Sequence, residues 1–337
     1  MSKLLNSKPF QIILILLGAA FLTYFTVIIQ TTTLGKHFLT GQEYTYHQEV
    51  LQGNAGNPYQ YRILSSYAVM PVIRLMEFIH YVKPVLNGFL FARYIQNFLL
   101  FILVALYFRK LGLNIIAALL GISILAWGMT HSLYDSYLSF DTYFDVIFYI
   151  LAGLAILSGK YLWLLPVTIL AVLNRETSGL ILLMLPAYYY FVQPQDLSKK
   201  KMLVITGVGL AIYVIAFVGL RLYFGEQVRI LAYGHYPGIN MVVYNLTRPI
   251  TYRNLLGTLT IVPFLALLSY SSFPAGLKGF FWAIVPAWFA IITYAAILAE
   301  SRLVLVPQAL VFIPGALFGA SMLIQQNQAT PKAGADG

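Results

Sequence analysis

Cysteine is absent from the 337 residues, so there is no disulfide framework, no thiolate nucleophile and no cysteine-ligated metal. Charge is scarce. Asp, Glu, Lys and Arg make up 9% of the chain, against roughly 25% in a typical soluble domain. That shortage excludes an ordinary soluble enzyme, a disordered chain and a coiled coil. Period-2 alternation is missing as well, which excludes an outer-membrane β-barrel. Acids are the rarer sign, 11 against 21 Lys and Arg, for a net charge of +10. The basic residues are scattered singly between apolar runs, so the excess does not indicate nucleic acid. It suits basic loops and contacts with anionic membrane lipids.

Apolar residues are abundant, at 60%. Runs of 18 or more recur along the chain, each long enough to cross ~30 Å of hydrocarbon. The pattern predicts an all-α polytopic transmembrane bundle. Ten spans are expected, near 10–29, 88–108, 113–130, 142–158, 161–174, 178–193, 202–224, 255–271, 280–299 and 303–323. The first follows Lys3 and Lys8, has no small-residue cleavage site at its end, and reads as a retained span rather than a signal peptide. Residues 63–82 are apolar but carry Arg74, Glu77 and Pro71. They read as an amphipathic helix lying on the membrane surface, within a first outer loop of 31–87. Residues 1–324 form one integral membrane domain, and 325–337 a disordered polar tail.

Alternating the spans from a cytoplasmic N-terminus puts both termini inside a cytoplasmic membrane. Ten basic residues then fall inside: Lys3, Lys8, Arg109, Lys110, Lys160, Lys199, Lys200, Lys201, Lys278 and Lys332. Eleven fall outside, and nine of those are arginine. The totals nearly balance, but the types sort. Lysine is a hydrated point charge suited to a solvated loop, whereas arginine offers a planar fork for carboxylate or phosphate. Nine of the eleven acids fall on the arginine side; only Asp196 and Asp336 do not.

Four groups of residues could carry chemistry. The first outer loop holds Glu43, His47 and Glu49, followed by Pro58-Tyr59-Gln60-Tyr61-Arg62. On a helix Glu43 and His47 share a face, as a base with its partner, as two metal ligands, or as incidental charges on a solvated loop helix. Asn174-Arg175-Glu176-Thr177 lies between two apolar runs, where charge is expensive. Adjacent residues do not face each other on a helix, so Arg175 and Glu176 each need another partner. The third group is Asp135, Asp141 and Asp145. Asp141 and Asp145 stand at i, i+4 and repel unless a cation or an arginine lies between them. A divalent metal is one such cation. Alternatively, Asp141 caps the helix opening at Thr142 and Asp145 pairs with an arginine elsewhere. The fourth group is Glu300-Ser301-Arg302, with Arg229, His235, Arg248 and Arg253 in the aromatic-rich loop 225–253. Arginine with tyrosine suits phosphate and sugar rings, and equally a bilayer-interface belt. Gly207-Val208-Gly209 and Asn245-Leu246-Thr247 are weak motifs.

A first span, an acidic outer loop leading to PYQYRIL, an aspartate cluster, NRET between two spans and a late ESR before the last span together resemble bacterial membrane glycosyltransferases of the GT-C superfamily. The resemblance is one of layout and covers most of the chain. It implies a hexosyltransferase-type enzyme with a polyprenyl-phosphate sugar donor and an envelope glycan, lipid or protein as acceptor on the outer face. It also implies a carboxylate base in the first outer loop. By position that role falls on Glu43, with Glu49 second; the family more usually has aspartate there. His47, Tyr61, Arg62, Asp141, Asp145, Asn174, Arg175, Glu176, Arg248, Arg253, Glu300 and Arg302 are the expected substrate and phosphate ligands. The rival classes are a transporter or flippase of lipid-linked or anionic substrates and a non-catalytic membrane scaffold. One cavity joining Glu43, Arg175 and Arg302 favours the enzyme, a midplane pocket the transporter, and self-paired charges the scaffold.

Overall fold

A computed structural model describes residues 7–132, 140–229 and 236–329, the last five of these by backbone alone. Lys3, Asp135, His235, Lys332 and Asp336 lie outside the described residues. Among the described residues the chain is helical throughout, and its only strand-like pairing is a single-residue bridge between Asn57 and Arg229. The helices used below are α1 (Lys8–Leu34), α2 (Tyr44–Gln52), α3 (Ile63–Phe78), α4 (Pro84–Leu111), α5 (Ile115–His131), α6 (Phe140–Leu157), α7 (Leu164–Val172), α8 (Ile181–Val192), α9 (Lys199–Phe224), α10 (Ile239–Thr247), α11 (Pro249–Leu259), α12 (Val262–Leu268), α13 (Ala275–Ala295) and α14 (Ile313–Ala329).

The ten expected spans reduce to six helices long and apolar enough to cross a membrane, or seven if a bent pair counts as one. The six are α1, α4, α6, α9, α13 and the run Ser301–Ile324 leading into α14. The other four expected spans fail for identifiable reasons. The α5 helix is 17 residues long, giving about 25 Å of rise. The 161–174 segment is helical only over Tyr161–Val172, a 3₁₀ turn followed by the nine residues of α7, and the 178–193 segment contains the twelve residues of α8 with Pro186 inside it. The 255–271 segment breaks between α11 and α12 with a 70° bend. There Thr260 takes φ 53°, and Pro263 in the next turn lacks an amide hydrogen. The tail expected from 325 is helical as far as Ala329.

Helix breaks in an apolar bundle expose backbone groups that must find partners inside the protein. Here side chains of neighbouring helices supply them. Tyr149 donates to Thr177 O (2.6 Å) and Tyr213 to Glu176 O (2.7 Å), covering the break between α7 and α8. Gln308 Nε2 donates to Thr258 O (3.0 Å) at the α11–α12 break. Asn245 Nδ2 donates to Thr293 O and Ala296 O, Asn254 Nδ2 to Ala299 O, and Trp288 Nε1 to Leu303 O, around the turn after α13. Tyr107 donates to Leu310 O within the π-helical turn Gln308–Phe312. Each break is thus fixed by a specific donor.

The helix packing sorts the charges between two ends. Arg109 at the end of α4 donates to Gln11 at the start of α1 (3.1 Å). The Tyr161 hydroxyl donates to Asp196, and Lys201 lies over the Tyr161 ring. Lys110, Lys160, Lys199 and Lys200 are exposed, and Lys278 half-buried, at the starts or ends of helices on this same side. The opposite end gathers the C-terminal ends of α1, α5, α7, α9 and α13, the start of α6, and the first loop. Helix α3 (the segment expected on the membrane surface) packs one face on α4. Gly88 makes that approach possible, because a Cβ there would sit 2.6 Å from Ile73 Cγ1. The opposite face and the tip remain exposed, including Leu75, Phe78, Ile79 and Val82.

Candidate functional site

The first loop is folded rather than extended. After α1 ends at Gly35 (φ 80°), a π-helical turn spans Leu39–Glu43 and α2 follows, stopped by left-handed Gly53. Glu43 and His47 do share a face, with His47 Nε2 3.4 Å from Glu43 Oε1. His47 Nδ1 is 2.8 Å from Ser66 Oγ on α3, and its ring packs against Phe89 and Phe140. A solvated loop helix is excluded at this face: Glu43 is 2% exposed and His47 fully buried. Glu49 points outward and is exposed. Glu43 Oε1 is a buried oxygen with no hydrogen-bond donor.

The PYQYR segment is fastened on both sides. Gln60 accepts from Ala55 N and donates to Val50 O, while Tyr61 donates to Gly225 O beyond α9. Arg62 then reaches inward. Its Nε and Nη2 donate to Glu176 Oε2 (3.2 and 3.1 Å), and its Nη1 approaches Asp141 Oδ2 at 3.4 Å. Burial alone would lower the Arg62 pKa; Glu176 and Asp141 outweigh it and hold the guanidinium above its ordinary value.

The aspartate pair is bridged by arginine. Arg175 is held extended (φ −161°, ψ 148°) between α7 and the 3₁₀ turn Glu176–Leu180, which directs its side chain at α6. Its Nη1 donates to Asp145 Oδ2 and its Nη2 to Asp141 Oδ2, both at 2.9 Å. Asn174 Nδ2 donates to Asp145 Oδ1 (2.7 Å) and to the Asp141 carbonyl (2.8 Å). Asp141 Oδ1 accepts from Thr142 N. Adjacent Arg175 and Glu176 therefore do have separate partners, Glu176 pairing with Arg62 and, at 3.8 Å, with Arg221.

Glu300 and Arg302 pair with each other at 2.8 Å. They lie close enough to Tyr59 to act on its hydroxyl, which burial and then Glu300 raise above the usual phenol range. Tyr46, edge-on to Tyr59 at 5.7 Å, is raised likewise by burial and by Asp141. Arg248 and Arg253 are exposed, the first over the Tyr244 ring and the second donating to Asn254. Arg229, also exposed, lies over Tyr236.

No protein-family model, curated protein or solved structure matches this chain.

The site therefore has to be read from its own geometry. Five acids converge at one end of the bundle. Asp141, Asp145, Glu176 and Glu300 are each in direct contact with an arginine, and Glu43 contacts an imidazole. Arg221 was not among the expected site residues, and Tyr59 was singled out only as part of the PYQYR segment. Arg221, in the last turn of α9, lies over Tyr61 (4.5 Å) and Phe217 (3.5 Å), and Tyr59 forms the floor under Arg62. The one available signal for Arg221 was an arginine in the last turn of a span. The residues do not fit a divalent cation: no group of three or more His, Cys, Asp or Glu able to hold a metal occurs among the described residues, and the Asp141–Asp145 pair already holds Arg175.

Proposed function

We propose that this chain is a membrane glycosyltransferase of the GT-C kind. It moves a sugar from a polyprenyl-phosphate donor to a hydroxyl of an envelope glycan, lipid or protein, at the arginine-rich end of the bundle. The observation that carries this reading is the state of Glu43. The other four acids of the site are held by arginines, whereas the charged contact of Glu43 is His47; its Oε1 is buried without a hydrogen bond, as is Glu176 Oε1, which instead faces Arg221 at 3.8 Å. It also ends a π-helical turn, a feature common at functional sites. In the reaction the acceptor oxygen attacks the anomeric carbon, its proton passes to Glu43 Oε1, and the bond to the donor phosphate breaks. Polyprenyl phosphate leaves with the bonding electron pair, and the exposed forks of Arg229 and Arg248 draw its charge to this end.

Location argues against transport, since the charges sit at one end rather than at mid-bundle. A non-catalytic scaffold draws support from the pairing of Asp141, Asp145, Glu176 and Glu300, and Glu43 separates the two readings. A deletion strain complemented with wild type, Glu43→Gln or Glu49→Gln is analysed by mass spectrometry of envelope glycans. Deletion should remove one sugar, which wild type and Glu49→Gln restore. Glu43→Gln, present at normal level and folded, should slow transfer by roughly 10²–10⁴-fold, the usual contribution of a general base. Full restoration by Glu43→Gln would remove Glu43 from the chemistry, and an unchanged glycan profile on deletion would end the reading.

A further inference from the structure

Asp141 and Asp145 are one helical turn apart on the same face of α6, and both are buried. Two carboxylates so placed cannot both stay ionised without a compensating positive charge. A divalent metal is the usual solution in carboxylate-pair sites. This chain uses a side chain instead. One guanidinium spans the pair, with one terminal nitrogen on each carboxylate at 2.9 Å. The remaining oxygens are also taken: Asp141 Oδ1 by the Thr142 amide and Asp145 Oδ1 by Asn174 Nδ2. A second guanidinium, from Arg62, stands 3.4 Å from Asp141 Oδ2. A hard cation needs these oxygens bare and at ~2.0–2.6 Å. It finds them facing N–H donors, three of which belong to the guanidinium groups of Arg175 and Arg62.

We infer that Arg175 is a built-in counter-ion that occupies the place of a divalent metal between Asp141 and Asp145, so that this pair takes none. The local chain is shaped for that role. The extended backbone at Arg175 carries the side chain across to α6, and the neighbouring Asn174 completes the ligation of the same pair. The inference concerns charge balance and stands whether or not sugar transfer occurs at this end. Its consequence is that any chemistry here draws no metal from the pair and is positioned by Arg175.

The test uses the full-length protein in detergent and reads Mn²⁺ binding by electron paramagnetic resonance alongside the melting temperature. Wild type should show no saturable Mn²⁺ site that Asp145→Asn removes. Arg175→Ala leaves two facing carboxylates and a guanidinium-sized space. It should melt lower, bind Mn²⁺ and regain about 2–4 °C on binding. Adding Asp145→Asn to Arg175→Ala should restore stability without metal, since it removes the repulsion, and should abolish Mn²⁺ binding. The inference is overturned if wild type binds Mn²⁺ through Asp145. It is also overturned if Arg175→Ala is folded yet neither destabilised nor metal-binding. Should Arg175→Ala fail to fold, the double variant decides. Recovery of folded protein supports charge compensation, and equal failure reduces Arg175 to a packing residue.

Discussion

Arg62 ties the first loop to the rest of the site, and removing it should loosen the whole end of the bundle. Its side chain is 15% exposed and that of its main partner Glu176 25%. Two of its nitrogens donate to one Glu176 oxygen, at 3.2 and 3.1 Å. Hydrogen bonds to charged groups contribute about 1.5–3 kcal/mol each. Because both donors share one oxygen that is partly open to solvent, about 2 kcal/mol is a reasonable sum for the pair. The 3.4 Å approach to Asp141 is long for a charge-assisted bond and adds little, because Arg175 already satisfies that oxygen. Stacking at 5.6 Å over Tyr59 is near the outer limit for a cation–π contact and adds about 0.5 kcal/mol. Arg62→Ala should therefore cost about 2–3 kcal/mol. Arg62→Lys, which keeps the charge but can hold only one of the contacts, should cost about 1 kcal/mol.

Thermal unfolding in detergent, followed by near-ultraviolet circular dichroism, reads this directly. The melting temperature should fall by about 4–12 °C for alanine, at roughly 2–4 °C per kcal/mol. A double-mutant cycle with Glu176→Gln should recover a coupling of about 1–2 kcal/mol. Added salt should change the cycle little, because a mostly buried pair is weakly screened. If Arg62→Ala melts within about 1 °C of wild type, or Arg62→Lys is indistinguishable from it, the pair does not hold the loop.

Two further outcomes follow from the packing and the buried hydroxyls. Gly88→Ala places a Cβ 2.9 Å from the Ile73 backbone, which no rotamer change relieves, so α3 must shift from α4 at a cost of about 1–3 kcal/mol; an unchanged melting temperature would show that the contact is looser. The hydroxyls of Tyr46 and Tyr59, raised by burial, stay protonated in the folded chain above the pH near 10 at which the unfolded chain ionises. Their contribution is therefore complete below about pH 10 and lost as pH rises beyond it, so Tyr46→Phe and Tyr59→Phe should flatten the alkaline fall in melting temperature; equal slopes would refute that burial.

Hydropathy made the class and the six long helices legible because it sums apolarity over a length, and that sum is what a bilayer tests. It missed the breaks because they are local backbone events inside runs that stay apolar. The 255–271 run reads as continuous, yet Thr260 turns left-handed and Gln308, nearly 50 residues away, takes the carbonyl that a continuing helix would have used. Pro186 within α8 and the short α7 have the same effect on the sum: the composition of a span remains while its length is cut. A further clue was available in the donors themselves. Asn245, Asn254, Tyr149 and Trp288 are polar tips in apolar surroundings, and each marks a backbone group that some break has left open.

The site was legible where spacing alone demanded a partner. Two aspartates at i, i+4 required a positive charge, and Arg175 and Glu176, being adjacent, required two different ones. The structure meets both demands with one exchange: Arg175 goes to the aspartates and Glu176 to Arg62 and Arg221. The identity of each partner was not legible, because α9 is brought beside the first loop by long-range contacts such as the Tyr61–Gly225 bond, the stacking of Arg221 on Tyr61 and the Asn57 N–Val228 O bond. That pairing is also what sets Glu43 apart. On spacing it was one acid among several in a polar loop. With Arg62, Arg175, Arg221 and Arg302 in contact with four other carboxylates, Glu43 has the His47 imidazole as its contact, and the buried guanidinium of Arg93 on α4 acts on it as well. In the reaction proposed above, Glu43 beside this imidazole takes the acceptor proton, and Glu43→Gln is the variant that separates that role from a purely structural one.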